Sequence, residues 1–142
     1  KITGRTKHFI NVFGEELVIE NAEKALSLTS ELTKSSISDY TVGPVFMGSK
    51  TKGSHEWLIE FDKQPEDLNK FMEILDLNLQ SLNSDYEAKR YKSSTLELPK
   101  LVVARKNLFY DWLSSKNKLG GQNKIPRLSN SREFIEELIS MN

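Results

Sequence analysis

Tyr40-Thr41-Val42-Gly43-Pro44-Val45-Phe46-Met47 and His55-Glu56-Trp57-Leu58-Ile59-Glu60-Phe61, joined by the polar, glycine-bounded Gly48-Ser49-Lys50-Thr51-Lys52-Gly53, decide the fold class of this chain. Both runs are dense in β-branched and aromatic residues and the connection is of hairpin type, so the pair reads as two strands of one sheet. In the second run Trp57, Ile59 and Phe61 share one face of the pleat, while Glu56, Leu58 and Glu60 share the other, which is expected to be partly wet. Pro44 cannot donate a ladder hydrogen bond, which places the first run at a sheet edge or a bulge.

Helical patterns flank this hairpin. Downstream, Pro65 suits the first turn of a helix, and Leu68, Phe71, Met72, Leu75, Leu79 and Leu82 hold one stripe. Upstream, Ala22, Ala25, Leu26, Thr29 and Leu32 recur at helical spacing from about Glu20 to about Lys34, with Glu20 and Glu23 where acids suit a helix start. Lys7 to Val18 predicts two short strands turning around Phe13-Gly14-Glu15, where Gly14 supplies the permissive backbone. Ser84-Asp85-Tyr86-Glu87 matches a capping box for a short helix to about Tyr91, and Lys100 to Arg105 reads as a strand. Asn107 is placed to cap a helix that buries Leu108, Phe109, Trp112 and Leu113; Asn130, with Glu133 three residues on, is placed to cap a last one burying Phe134, Ile135, Leu138 and Ile139. The order β-β-α-β-β-α-α-β-α-α predicts an α+β fold, a small mixed sheet covered by helices, with residues 1–142 as a single domain.

Composition narrows function by exclusion. Twenty basic and twenty acidic residues balance to a net charge of zero, which gives no general attraction to nucleic acid or an anionic membrane. The absence of cysteine removes thiolate nucleophiles, disulfides and cysteine-based zinc sites, and two histidines argue against a histidine-rich metal centre, so no metal site is expected. No apolar run approaches the roughly 20 residues of a membrane span and the N-terminus lacks a signal-peptide layout, which predicts a soluble, cytoplasmic protein. His8 and His55 read as structural, and the Glu15-Glu16 and Glu136-Glu137 pairs as solvated carboxylates without an acid-base role. The chain opens on Lys1 without a methionine and meets strand-like residues almost at once, as if cut from a longer polypeptide just before a structural element.

Two basic segments remain. In Gly4-Arg5-Thr6-Lys7 a permissive glycine sits beside two cations able to meet a phosphate or ribose. Lys118 to Arg127 combines the Gly120-Gly121 pair, basic side chains and Pro126, a layout that can deliver an ammonium into a closed pocket where negative charge develops. Each alone better fits a solvated surface stretch, since exposed basic side chains are the rule.

Taken together, Gly4-Arg5-Thr6-Lys7-His8-Phe9-Ile10 with Phe13-Gly14-Glu15-Glu16-Leu17-Val18 resembles the hinge motif opening the C-terminal lobe of acyl-adenylate-forming enzymes, and Lys124-Ile125-Pro126-Arg127 resembles their late lysine motif. Three further blocks are similar to the Gretchen Hagen (auxin-responsive) family of acyl acid amido synthetases, bacterial branch: Ser54 to Phe61, Leu82 to Arg90, and Gly120-Gly121-Gln122-Asn123-Lys124-Ile125-Pro126-Arg127-Leu128. The resemblance runs along nearly the whole chain. It implies the small, rotating C-terminal lobe of an enzyme that joins a carboxylic acid to ATP as an acyl adenylate and then to an amine or amino acid. In that reading Gly4 and Lys7 form the hinge, Arg5 lies near the nucleotide, Lys124 reaches the carboxylate and α-phosphate during adenylation, and Gly120, Gly121, Gln122 and Arg127 belong to its loop. ATP and magnesium would be bound mainly by a large N-terminal lobe, the principal partner, and the isolated domain is expected to be inactive. Plant members carry an Arg-Arg pair and an aromatic before the late lysine where this chain has Gly4-Arg5 and Asn123, so their substrates do not transfer. The competing expectation is a non-catalytic α+β module that binds a small ligand or a partner protein through its sheet; saturable binding by the isolated domain would mark it out.

Overall fold

The computed structural model describes residues 9–47, 49–91, 95–116 and 125–142. Its elements follow the predicted order: β1 (Phe9–Ile10), β2 (Leu17–Val18), α1 (Ile19–Thr33), β3 (Ser36–Met47), β4 (Ser49–Lys63), α2 (Leu68–Leu82), α3 (Ser84–Arg90), β5 (Lys100–Val103), α4 (Leu108–Ser115) and α5 (Glu133–Met141). β1 and β2 pair antiparallel as a small hairpin, with Gly14 at φ +86° in its turn. The three-stranded sheet has the order β3-β4-β5, with β3 antiparallel and β5 parallel to the central β4, and is therefore mixed. Pro44 lies on β3, an outer strand of that sheet, as its missing N–H requires.

β4 runs through the segment expected to be the loop, and the hairpin pairs from Ser36↔Lys63 to Met47↔Ser49. Gly53 is thus a strand residue. Its N–H donates to the Thr95 carbonyl at 3.0 Å and its carbonyl accepts from the Glu97 N–H at 2.8 Å, which seats the fully buried Leu96 beside the sheet.

One face of β4 presents Trp57 and Ile59 to a core built from Ala22, Ala25 and Leu26 of α1 and Phe71, Leu75 and Leu79 of α2. The opposite face is not wet. Leu58 packs there among Leu108, Phe109 and Trp112 of α4 and Ile135 and Leu138 of α5. The flanking carboxylates are consumed by that second layer: Glu60 accepts the Asn107 N–H at 2.9 Å and the Phe109 N–H at 3.5 Å, and Glu56 accepts from Arg132 at 2.9 Å. A Glu-Leu-Glu face is buried because each acid finds a donor on a helix laid over it. Close approach also matters here, since a Cβ on Gly43 would lie 3.0 Å from the Ile135 Cγ2.

The helix boundaries hold within about three residues, but the caps differ from expectation. α2 is capped by Asp67, which accepts the Lys70 N–H at 3.1 Å, so Pro65 precedes the helix and is not in its first turn. α3 is capped by Asn83, which accepts the Tyr86 N–H at 2.8 Å, and Ser84 is its first residue. Asn107 sits at φ 68° and makes no side-chain cap; Glu60, 47 residues away, serves the start of α4 instead. Asn130 likewise caps nothing, because its side chain is engaged with the opening hairpin. Leu32 is exposed: ten residues at 100° place it about 80° from Ala22, at the margin of the buried stripe. No described helix is long and apolar enough to cross a membrane.

Candidate functional site

Of the residues singled out in the sequence, Gly4, Arg5, Lys7, His8, Gly120, Gly121, Gln122 and Lys124 lie outside the described residues, and Arg127 lies within them. Immediately after Lys124, residues 125–129 lie along the outer edge of β3. The Val42 N–H donates to the Arg127 carbonyl at 2.8 Å and the Ser129 N–H to the Val42 carbonyl at 3.2 Å, a short parallel bridge centred on Leu128. The Thr41 hydroxyl adds a bond to the Pro126 carbonyl at 2.7 Å. The sequence of this strap explains its seat: Ile125 enters the α4/α5 core and Leu128 the α1/α2 core, so it is pinned by apolar side chains on both faces of the sheet.

Arg127 completes the attachment. Its guanidinium pairs with the Asp39 carboxylate, donates to the Tyr40 carbonyl at 3.1 Å, and lies over the Tyr40 ring with 4.9 Å from Cζ to the centroid. Burial pulls its pKa below the usual arginine value, against the charge of Glu23, which raises it. Tyr40 is itself fixed, stacked on Trp57 with centroids 6.0 Å apart and donating its hydroxyl to Glu23 at 2.5 Å. Beside these groups runs a groove of ≈ 390 Å³ whose lining includes Glu23, Ser27, Ser30, Asp39, Tyr40 and Arg127. Arg127 is therefore a structural tie within this domain, bonded through Nη1 to both Asp39 and the Tyr40 carbonyl.

The opening hairpin reaches the same region. The Asn11 N–H donates to Asn130 Oδ1 at 2.7 Å, joining the end of β1 to the residue that follows the strap. Glu15, expected to be solvated, is fully buried: it accepts the Phe13 N–H at 2.7 Å and shares a 2.6 Å hydrogen bond with His55 Nε2. His55 is structural, as expected, and it is the partner that lets Glu15 leave water. Glu136 and Glu137 pair with Arg132 and Lys116 nearer the surface. A third buried acid went unread in the sequence. Asp76, inside the apolar stripe of α2, accepts from the Tyr86 hydroxyl at 2.7 Å and from Arg90 Nε and Nη2 at 2.8 Å each.

Tyr40 and Tyr86 make a pH prediction. Both phenols are held above the ordinary value of 10.0, first by burial and then by the neighbouring carboxylate, Glu23 for one and Asp76 for the other. The folded chain keeps protons that the unfolded chain releases, so this contribution is complete below pH 10 and is lost as pH rises above it. Urea midpoints measured at about pH 8 and about pH 11 are expected to fall steeply, and to fall less for the Tyr40→Phe/Tyr86→Phe variant. Equal losses in both proteins would refute this assignment.

Comparison with known proteins follows the same lines. A family profile described as GH3 family C-terminal domain matches residues 20–133. No curated protein matches the chain. Among solved structures, AtGH3.15 acyl acid amido synthetase in complex with 2,4-DB superposes with a TM-score of 0.70 at 17% identity, over 94% of this chain and 25% of that one. A second structure, GH3.15 acyl acid amido synthetase, gives 0.71 at 18% identity, over 94% and 26%. The chain thus spans about a quarter of the length of these solved relatives, and at such identity the likeness is one of fold.

Proposed function

Because this chain belongs to the GH3 family, as a C-terminal domain of that family, we propose that it is the moving C-terminal lobe of an ATP-dependent acyl acid amido synthetase. The parent enzyme activates a carboxylic acid as its acyl adenylate, releasing pyrophosphate, and then transfers the acyl group to an amine or amino acid. Gly4 and Lys7 serve as the hinge, Arg5 meets the nucleotide, and Lys124, presented from the loop of Gly120, Gly121 and Gln122, offsets the negative charge of carboxylate and α-phosphate as they approach. The Gly4-Arg5 pair and Asn123 favour the family's bacterial branch over its plant members. Magnesium, with most of the ATP contacts, is assigned to the large lobe, as the family resemblance implies.

The observation that carries this reading is the match of the GH3 C-terminal domain profile to residues 20–133, on a fold that ties the opening hairpin to the strap. The strap begins at Ile125, the residue that follows Lys124 in sequence, and Ile125 is anchored in the α4/α5 core. The other end of the strap is bonded, through Asn130, to Asn11 of the opening hairpin. The opening hairpin, which follows the first basic segment, and the strap, which follows the second, are therefore tied to each other.

The test is ATP–pyrophosphate exchange by the full-length protein across a panel of aliphatic and aromatic acids. Lys124→Ala is expected to lower the exchange rate by about 10²–10³-fold, the scale of one lost oxyanion-type contact, and to affect amide formation from a supplied acyl adenylate far less. Undiminished exchange would remove Lys124 from the chemistry.

A further inference from the structure

Lys124 can act only if its backbone is aimed, and among the described residues two main-chain hydrogen bonds tie the strap behind it to β3. Between Lys124 and Arg127 stand Ile125 and Pro126. Proline fixes its own φ near −65° and confines the preceding residue to extended conformations, so these two residues form a stiff link. Ile125 is also anchored in the α4/α5 core. The strap that leads out to Lys124 is thus held at Ile125 by the core and at Arg127 by its side chain.

Arg127 is held by more than its main chain. Its guanidinium meets the Asp39 carboxylate, the Tyr40 carbonyl and the Tyr40 ring, and Tyr40 is braced by Trp57 behind it and by Glu23 of α1 at its hydroxyl. These contacts bring α1, β3 and the strap onto one side chain. A rigid fork stacked on a ring fixes orientation in a way that a lysine in its place could not reproduce.

We infer that Asp39, Tyr40 and Arg127 form a positioning clamp that sets the reach of Lys124 into the reaction centre. The inference rests on the role proposed above for Lys124. None of the three touches substrate; each acts through the strap. A displacement of about 1 Å in a catalytic group is enough to slow a reaction by up to two orders of magnitude, so a clamp of this kind shows itself in turnover more than in binding.

Two measurements on the full-length protein test it. In hydrogen–deuterium exchange, Asp39→Ala is expected to expose the Val42 and Ser129 amides, which close the bridge to the strap, and to leave the Trp57–Ile59 amides of β4 protected. In ATP–pyrophosphate exchange with the best acid of the panel, Asp39→Ala and Arg127→Lys are each expected to lower kcat about 10-fold or more with KM for ATP little changed. Asp39→Asn, which keeps an acceptor oxygen without the charge, should fall between them and the parent. If Asp39→Ala does not fold, Arg127→Lys carries both measurements. Unchanged amide protection overturns the clamp. So does lost protection with kcat intact, provided Lys124→Ala does slow exchange, and in that case the role of Lys124 stands. If Lys124→Ala has no effect, the positioning role falls together with the reading it rests on.

Discussion

Asp76→Ala is expected to destabilise the domain by about 3–5 kcal/mol, the range found when one partner of a buried ion pair is removed. Asp76 is 3% exposed and is the acceptor for the Tyr86 hydroxyl and for two nitrogens of Arg90, with Gln80 adding a fourth bond at 3.0 Å. Alanine removes every acceptor at once. It leaves a guanidinium that is 12% exposed and a phenol that is 1% exposed without the oxygen atoms they were aimed at. Arg90 would retain its bond to the Leu96 carbonyl, at 3.1 Å, which limits the loss. Asp76→Asn keeps one acceptor oxygen and should lose less. Urea unfolding of the purified domain measures both, and a loss under about 1 kcal/mol for Asp76→Ala would show that the network carries little net stability.

Gly53→Ala is expected to be comparably severe, for a steric reason. A Cβ at Gly53 would stand 1.9 Å from the Val45 carbonyl oxygen and 2.7 Å from Cζ of Phe13. The first obstacle is backbone of the paired strand and cannot swing away, so β3 must separate from β4 or the opening hairpin must lift. Overpacking of movable side chains typically destabilises by about 1–3 kcal/mol, and a backbone clash belongs at or beyond the top of that range. The lowered urea midpoint should come with faster exchange of the Glu97 amide, which donates to the Gly53 carbonyl. Wild-type stability in Gly53→Ala would mean that the strand pairing at this point is looser than its geometry indicates.

The order of all ten elements was legible in the sequence because apolar periodicity reports which side of an element is covered. The stripe of Phe71, Met72, Leu75 and Leu79 is buried as it reads. The reading failed where burial depends on a partner far along the chain. Glu15 enters the core with His55, 40 residues away, and Glu60 does so by meeting the start of α4, 47 residues away. A carboxylate in a hydropathy pattern is indistinguishable from a solvated one until its donor is known. The misassigned caps have the same origin: Asn107 and Asn130 have the right chemistry in the right place, and tertiary contacts take over both positions. For the candidate site, the sequence marked Arg127 as part of a glycine-containing basic loop, and nothing local revealed that Asp39 and Tyr40 would hold it. Their pairing spans 88 residues and exists only because β3 lies beside the strap. Lys124 and the opening Gly4-Arg5-Thr6-Lys7 are carried by resemblance and by the position of their described neighbours.

The bond between Asn11 and Asn130 has a mechanical corollary. A pull or twist applied to the chain at Phe9 does not have to travel through ten elements to reach the far end of the polypeptide; it passes across a single 2.7 Å link into the segment leading to α5. The domain is closed near its own ends by an exposed tie, of about 1 kcal/mol net, so the opening hairpin and the approach to α5 are neighbours in space though 119 residues apart.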